Sequence, residues 1–181
     1  MTSTYLLSQG IGLIGVLCFI LSFQISSNRM LFLTQGLGCL AFSVQFLLVG
    51  AYTGCLNLIV IIIRNVLLMK FKDWKWVQWK GFVAVFGAMC FAVMLITWAG
   101  PLSILPFLAV AVGNIGMWTN NAQKIRLVNL VCSSPAWLVY DFIVGSYSGV
   151  LNECIVLASI LVSIYRYGWR AMGDPDSKFQ K

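Results

Sequence analysis

The 181-residue sequence contains no histidine, which removes any mechanism needing an imidazole base, a haem ligand or histidine-bound zinc. Charge is scarce as well. Charged residues make up 9% of the chain and hydrophobic ones 60%, against roughly 25% and 45–50% in soluble domains. That balance argues against a water-soluble domain. The six cysteines fall in apolar stretches at wide, irregular spacing with no CxxC pair, so packing thiols are expected rather than a disulfide framework or a metal site. No nucleotide-binding, GxSxG or HExxH motif occurs, so neither ATP chemistry nor a bound cofactor is expected. The first ten residues carry no lysine or arginine, and no small-residue cleavage site follows the first apolar run. That run is therefore expected to stay in the mature protein.

Seven apolar stretches fill the chain instead: residues 6–25, 30–49, 54–70, 82–99, 102–118, 127–144 and 150–166. Each approaches the length that crosses a hydrocarbon core as a helix, and seven such spans of about 20 residues leave only short connections. Runs such as Leu56-Asn57-Leu58-Ile59-Val60-Ile61-Ile62-Ile63 lack the alternation of a barrel strand. The expected fold is all-α and integral to the membrane, with seven transmembrane helices. The third span, with Arg64, and the sixth, with Pro135, are the least regular.

Basic residues set the orientation. They follow span one (Arg29), span three (Lys70, Lys72, Lys75, Lys80) and span five (Lys124, Arg126), and they return in the tail (Arg166, Arg170, Lys178, Lys181). Eleven of the twelve thus share one side, and the twelfth is Arg64. The positive-inside rule predicts an outside N-terminus and a cytoplasmic C-terminus. Trp74, Trp76 and Trp79 among the lysines, and Tyr52 and Tyr147 at two outer turns, suit rings at headgroup level. The net charge of +7 is therefore assigned to contact with anionic lipid, and nucleic acid is not an expected partner.

The chain repeats itself. Gly50-Ala51-Tyr52-Thr53-Gly54-Cys55-Leu56-Asn57 recurs 95 positions later as Gly145-Ser146-Tyr147-Ser148-Gly149-Val150-Leu151-Asn152. At the same offset Arg29 meets Lys124, Ala41 meets Ala136, Phe42 meets Trp137 and Val44 meets Val139. Spans one to three are thus expected to recur as spans five to seven around a linker, span four. A fourth span restores direction, so the two triplets run parallel. The organisation read from this is a first unit at 1–70, a basic loop and linker helix at 71–99, a second unit at 100–170 and a frayed tail at 171–181. Two parallel units generate a pathway between similar halves, or they are a duplication kept only for packing.

These residues carry a resemblance. The three-plus-one-plus-three plan with parallel units resembles the SWEET sugar facilitators and the PnuC vitamin-precursor transporters. More closely, the chain resembles the YgjV family of bacterial inner-membrane proteins, through Ser8-Gln9-Gly10-Ile11-Gly12, the stretch from Gly50 to Asn65, and Gly145 to Glu153. That likeness implies a multi-pass protein of the bacterial inner membrane. The SWEET likeness implies paired asparagines facing a central solute, here Asn57 and Asn152, and an aromatic wall from Phe42 and Trp137. It departs from that pattern in lacking a Pro-Gln dipeptide in spans one and five.

Polar residues inside the spans carry the functional expectation. An arginine at mid-membrane costs at least roughly 2.5–3.5 kcal/mol on insertion scales, so Arg64 should meet a partner or a wet cavity. Asp141 and Glu153 are the candidate partners, reached by extending the arginine stem outward. Asn57 and Arg64 lie seven apart on one helical face, and Asn152, Val156 and Ser159 share the matching face of span seven. These faces either line a solute pocket or close on a salt bridge that fixes register. Trp137 either packs or lines the same cavity. Asn65 and Asn114 are read as interhelical hydrogen-bond glue, and Gly10, Gly12, Gly15, Gly113 and Gly116 as sites of close helix approach. The glycines at 50, 54, 145 and 149 are read as turn residues.

The expected function is transport of a small polar solute by alternating access, as a facilitator or secondary carrier, with the glycines and Pro106 or Pro135 as flexible points. The alternative is a non-transporting membrane scaffold or accessory protein. A homo-oligomer is compatible with either. An enzyme is not expected: Asp141 and Glu153 can meet across a short turn, but no nucleophile motif accompanies them.

Overall fold

The computed structural model describes residues 3–22, 28–71, 73–119 and 122–167. The expected frayed tail at 171–181 and the basic residues Lys72, Arg170, Lys178 and Lys181 lie outside them. The described chain is helical, with no strand. Helices α1 (Ser3–Ser22), α2 (Asn28–Leu48), α3 (Tyr52–Leu68), α4 (Gly81–Ile96) and α5 (Ile104–Trp118) match the first five apolar stretches to within a few residues. The sixth stretch is one run in three pieces: α6 (Ala122–Val128), a π-helical segment (Asn129–Ser133) and α7 (Ser134–Val144). Helix α8 (Tyr147–Tyr167) is the seventh. Four segments, Ser3–Ser22, Pro101–Trp118, Lys124–Val144 and Tyr147–Tyr165, are long and apolar enough to cross a membrane, and three shorter apolar helices accompany them.

The break in the sixth stretch has a local cause. Pro135 has no N–H to give to the carbonyl one turn back, so the helix ahead of it widens into a π turn. The hydroxyl of Ser133 in that turn donates to the Ala109 carbonyl at 2.9 Å, fastening the widened turn to α5.

Helix α2 packs between α1 and α3, and α7 packs between α5 and α8. Helix α1 also lies along α8, and α3 lies along α4 and α5. Hydrogen bonds fix the directions. Tyr5 Oη and Gln9 Nε2 both donate to the Gly145 carbonyl at 2.9 Å, and the Ser148 amide donates to Gln9 Oε1 at 3.1 Å, so α1 and α8 start together. Thr53 Oγ1 donates to the Thr97 carbonyl at 3.0 Å and lies 3.4 Å from Ser103 Oγ, which joins the start of α3 to the end of α4 and the start of α5. The Gly54 amide donates to Tyr140 Oη at 3.0 Å and links the two groups. Helices α1, α3, α5 and α8 therefore begin at one end. The turns there carry no lysine or arginine, and we call it the neutral end; Lys70, Lys75, Lys80 and Lys124 mark the opposite, basic end.

Two turns at the neutral end are built alike. Gly50 and Gly145 adopt φ of +77° and +75°, left-handed values that an L side chain resists. In each, the next residue's amide reaches five back: Ala51 to the Phe46 carbonyl and Ser146 to the Asp141 carbonyl, both at 2.8 Å. The other two glycines expected in turns lie within helices. A Cβ at Gly54 would come within 2.7 Å of Tyr140, and one at Gly149 within 2.6 Å of the Asp141 carboxyl, so close approach rather than backbone freedom is their role.

Close approach also governs α1, though not at every expected position. Gly15 faces Gly38 and Phe42 of α2, and Gly12 is wedged between Gln45 of α2 and Ser148 of α8. Gly10 has open space around it. The outer surfaces carry Leu6, Leu13 and Leu17 on α1, Ile59 and Val66 on α3, and Phe142 and Ile143 on α7, all exposed. Apolar area on that scale has no place in water but suits acyl chains. Trp74, Trp76 and Trp79 are exposed beside Lys75 and Lys80 at the basic end.

Gly12→Leu should force α1 from both neighbours and lower stability by about 1–3 kcal/mol, whereas Gly10→Leu should change little. Thermal melting of the two variants in the same detergent checks this.

Candidate functional site

A cavity of about 410 Å³ lies inside the bundle, within the size range of small-molecule pockets. On one side α1, α2 and α3 contribute Phe19, Gln35, Phe42, Phe46 and Arg64. On the other, α6, α7 and α8 contribute Arg126, Trp137, Asp141, Asn152 and Glu153. The lining runs from Asp141 and Gly149 near the neutral end to Gln35, Arg126 and Ser163 toward the basic end.

Seven of the eight expected site residues line this cavity: Phe42, Arg64, Trp137, Asp141, Asn152, Glu153 and Ser159. Asn57 does not. It is fully buried, its Nδ2 donates to the Thr53 carbonyl of its own helix at 2.9 Å, and its Oδ1 has no partner among the described residues. The expected asparagine pair is thus not a pair in the cavity wall. On α3 the lining consists of Leu58, Ile61, Arg64 and Asn65. Phe46 and Trp137 stack with centroids 5.9 Å apart, and Tyr140 sits edge-on to both.

The partners of Arg64 also differ from expectation. Its Nη1 donates to Asn114 Oδ1 at 2.9 Å, and its Nη2 and Nε reach Asn65 Oδ1 at 3.2 and 3.4 Å. Asp141 and Glu153 are not within ion-pair distance; among the described residues the ion pair given is Lys70–Asp73, on the surface. Depth is the reason. Arg64 lies twelve residues past the first residue of α3 and Glu153 six past that of α8, and both helices start at the neutral end. Six residues of helix separate them by about 9 Å along the bundle. The two asparagines read as glue are therefore the residues that hold the guanidinium.

At the other end, Asp141 is 3% exposed and its Oδ1 finds no partner among the described residues. The buried Ser146 hydroxyl stands beside it as a neutral hydrogen-bond donor to the carboxyl. Asn152 Nδ2 donates to Glu153 Oε1 at 3.1 Å. The cavity thus holds a cation at one depth and two carboxyl groups at another.

Sequence reasoning missed Arg126, which it counted as a loop charge; the residue lies on α6 and its half-buried side chain lines the cavity. It also missed Asn129, Ser133 and Ser134. A signal was present: Asn129, Ser133, Trp137 and Asp141 recur every fourth residue, a spacing that a π turn keeps on one face. The roles of Gln9 and Ser148, polar residues joining α1 to α8, carried no such periodic mark.

Asn114→Leu should leave the guanidinium without its shortest hydrogen bond and cost about 1–3 kcal/mol. Arg64→Met in that background should recover part of the loss. Unfolding of the two single variants and the double variant, compared as a mutant cycle, measures the coupling.

Comparison with known proteins agrees with a membrane bundle. No solved structure matches the chain. The inner membrane protein YgjV of Escherichia coli (strain K12) is 24% identical over 168 residues, covering 93% of this chain and 87% of that protein. Residues 6–171 match the family model Imp-YgjV, described as bacterial inner membrane protein, and the chain belongs to that family.

Proposed function

We propose that this chain carries a small polar solute across the bacterial inner membrane, as a facilitator or secondary carrier working by alternating access. The observation that carries this reading is the cavity between α1–α3 and α5–α8, walled by both groups, with Arg64 at its side bonded only to neutral amides. A guanidinium set in a cavity wall without a carboxylate is available to a ligand. A register-fixing salt bridge to Arg64 is absent among the described residues, and the scaffold alternative calls for no such cavity.

The moving parts are the two triplets, with α4 as linker. Their like direction is supported by the shared start of α1, α3, α5 and α8, and their relation by the matching left-handed turns at Gly50 and Gly145. The first helix of each triplet lies along the last helix of the other, as a two-fold axis between them requires. The SWEET and PnuC likeness adds to this plan. In the orientation set by the basic residues, the neutral end faces outward and is shut by the bonds of Tyr5, Gln9 and Gly54 to the second triplet. Opening outward means breaking those bonds while the basic end closes over Arg126.

Two measurements test this. In a cysteine-free background, single cysteines at Tyr52 and Tyr147 should react with a membrane-impermeant maleimide added outside spheroplasts, and one at Trp79 should react only after lysis. The reverse pattern overturns the orientation. In proteoliposomes, screening labelled sugars, nucleosides and amino acids should find a compound that enters. Arg64→Met should slow its entry at least about tenfold, the scale of one lost charged contact. Undiminished uptake by that variant refutes a pocket built on Arg64, and no uptake of any compound favours the scaffold.

A further inference from the structure

The ionisable side chains of the cavity are separated by kind. Toward the basic end stand Arg64, 6% exposed, and Arg126, half-buried. Toward the neutral end stand Asp141 and Glu153. No ion pair joins the two ends among the described residues, and beside the buried Asp141 carboxyl stands the neutral Ser146 hydroxyl rather than a cation. Buried charge is costly unless it is compensated. A purely anionic ligand compensates the arginines alone, a purely cationic one the carboxyl groups alone, and a neutral sugar neither. Trp137, stacked on Phe46, gives the cavity an aromatic wall.

We propose that the cavity binds an amphoteric small molecule, with its anionic group on Arg64 and Arg126 and its ammonium on Asp141 and Glu153. This rests on the reading of the cavity as a solute site. The depth difference of about 9 Å between Arg64 and Glu153 favours a solute whose charges lie at opposite ends of a short body. A flat body suits the aromatic wall. A carboxylate meets a guanidinium with two parallel hydrogen bonds, and Arg64 has N–H groups left after its bonds to the two asparagines.

The test is ligand-induced stabilisation of the purified full chain in detergent. Two amphoteric probes with separated charges are used: 4-(aminomethyl)benzoate and 6-aminohexanoate. The controls are 4-methylbenzoate, 4-methylbenzylamine, maltose and sodium chloride. At about a hundredfold excess over Kd, at least one amphoteric probe should raise Tm by roughly 5 °C or more, and each control by much less. Arg126→Gln and Glu153→Gln should each remove that shift while melting cooperatively without ligand, and lipid-facing Leu151→Ala should keep it. A response to no amphoteric probe overturns the proposal. So does an equal response to a single-charge control, to sodium chloride or to maltose. Uptake of a neutral solute without any amphoteric response overturns this proposal and leaves transport standing. An amphoteric response with no uptake of that probe leaves the site standing and overturns transport.

Discussion

Everything inside the bundle is arranged around one guanidinium in a place of low dielectric. Arg64 cannot be left bare there, and the chain meets it with amide oxygens from Asn65 and Asn114 rather than with a carboxylate. The choice has a consequence for charge. Two amides satisfy the geometry of the N–H groups but leave the net charge of the side chain in place. Had Asp141 or Glu153 reached it, the cavity would be lined by a neutral pair. Because α3 and α8 place these groups at different depths, the cavity keeps its guanidinium at one depth and its carboxyl groups at another.

The ends of the bundle differ in a related way. At the neutral end, polar side chains and backbone groups of the two triplets are bonded to one another. Close packing there depends on Gly12, Gly54 and Gly149, where any side chain would collide with Gln45, Tyr140 or Asp141. Toward the basic end, the same helices leave room for Gln35, Arg126 and Ser163 in the cavity wall.

Much of this was legible in the residues. Length and hydropathy located seven helical segments because a span leaves a contiguous apolar signature that local sequence carries whole. The face shared by Asn152, Val156, Ser159 and then Ser163 was visible for the same reason, since helical periodicity needs only spacing. What failed was depth and partner choice. Asn57 shares the face of Arg64, yet it is fully buried and bonded to the Thr53 carbonyl of its own helix, and no single-helix pattern encodes that. The partners of Arg64 were misread because opposite charge is visible in a sequence while relative height between distant helices is not. Arg126 was hidden by its position: a basic residue at the edge of a span looks like a loop residue until the helix is seen to begin at Ala122.

The contact between α1 and α8 has a further implication, for biogenesis. Gln9 meets Ser148 across 139 positions of chain, so α1 leaves the ribosome long before α8 can supply its bonds to this side chain. Until α8 is made, α1 has only the α2 side of this contact, where Gln45 Nε2 donates to Gln9 Oε1 at 3.3 Å, and the Gln9 Nε2 donor waits for the Gly145 carbonyl. The bundle can therefore close only once α8 is inserted, and a nascent chain stalled before Gly145 lacks the contacts that make it a closed ring.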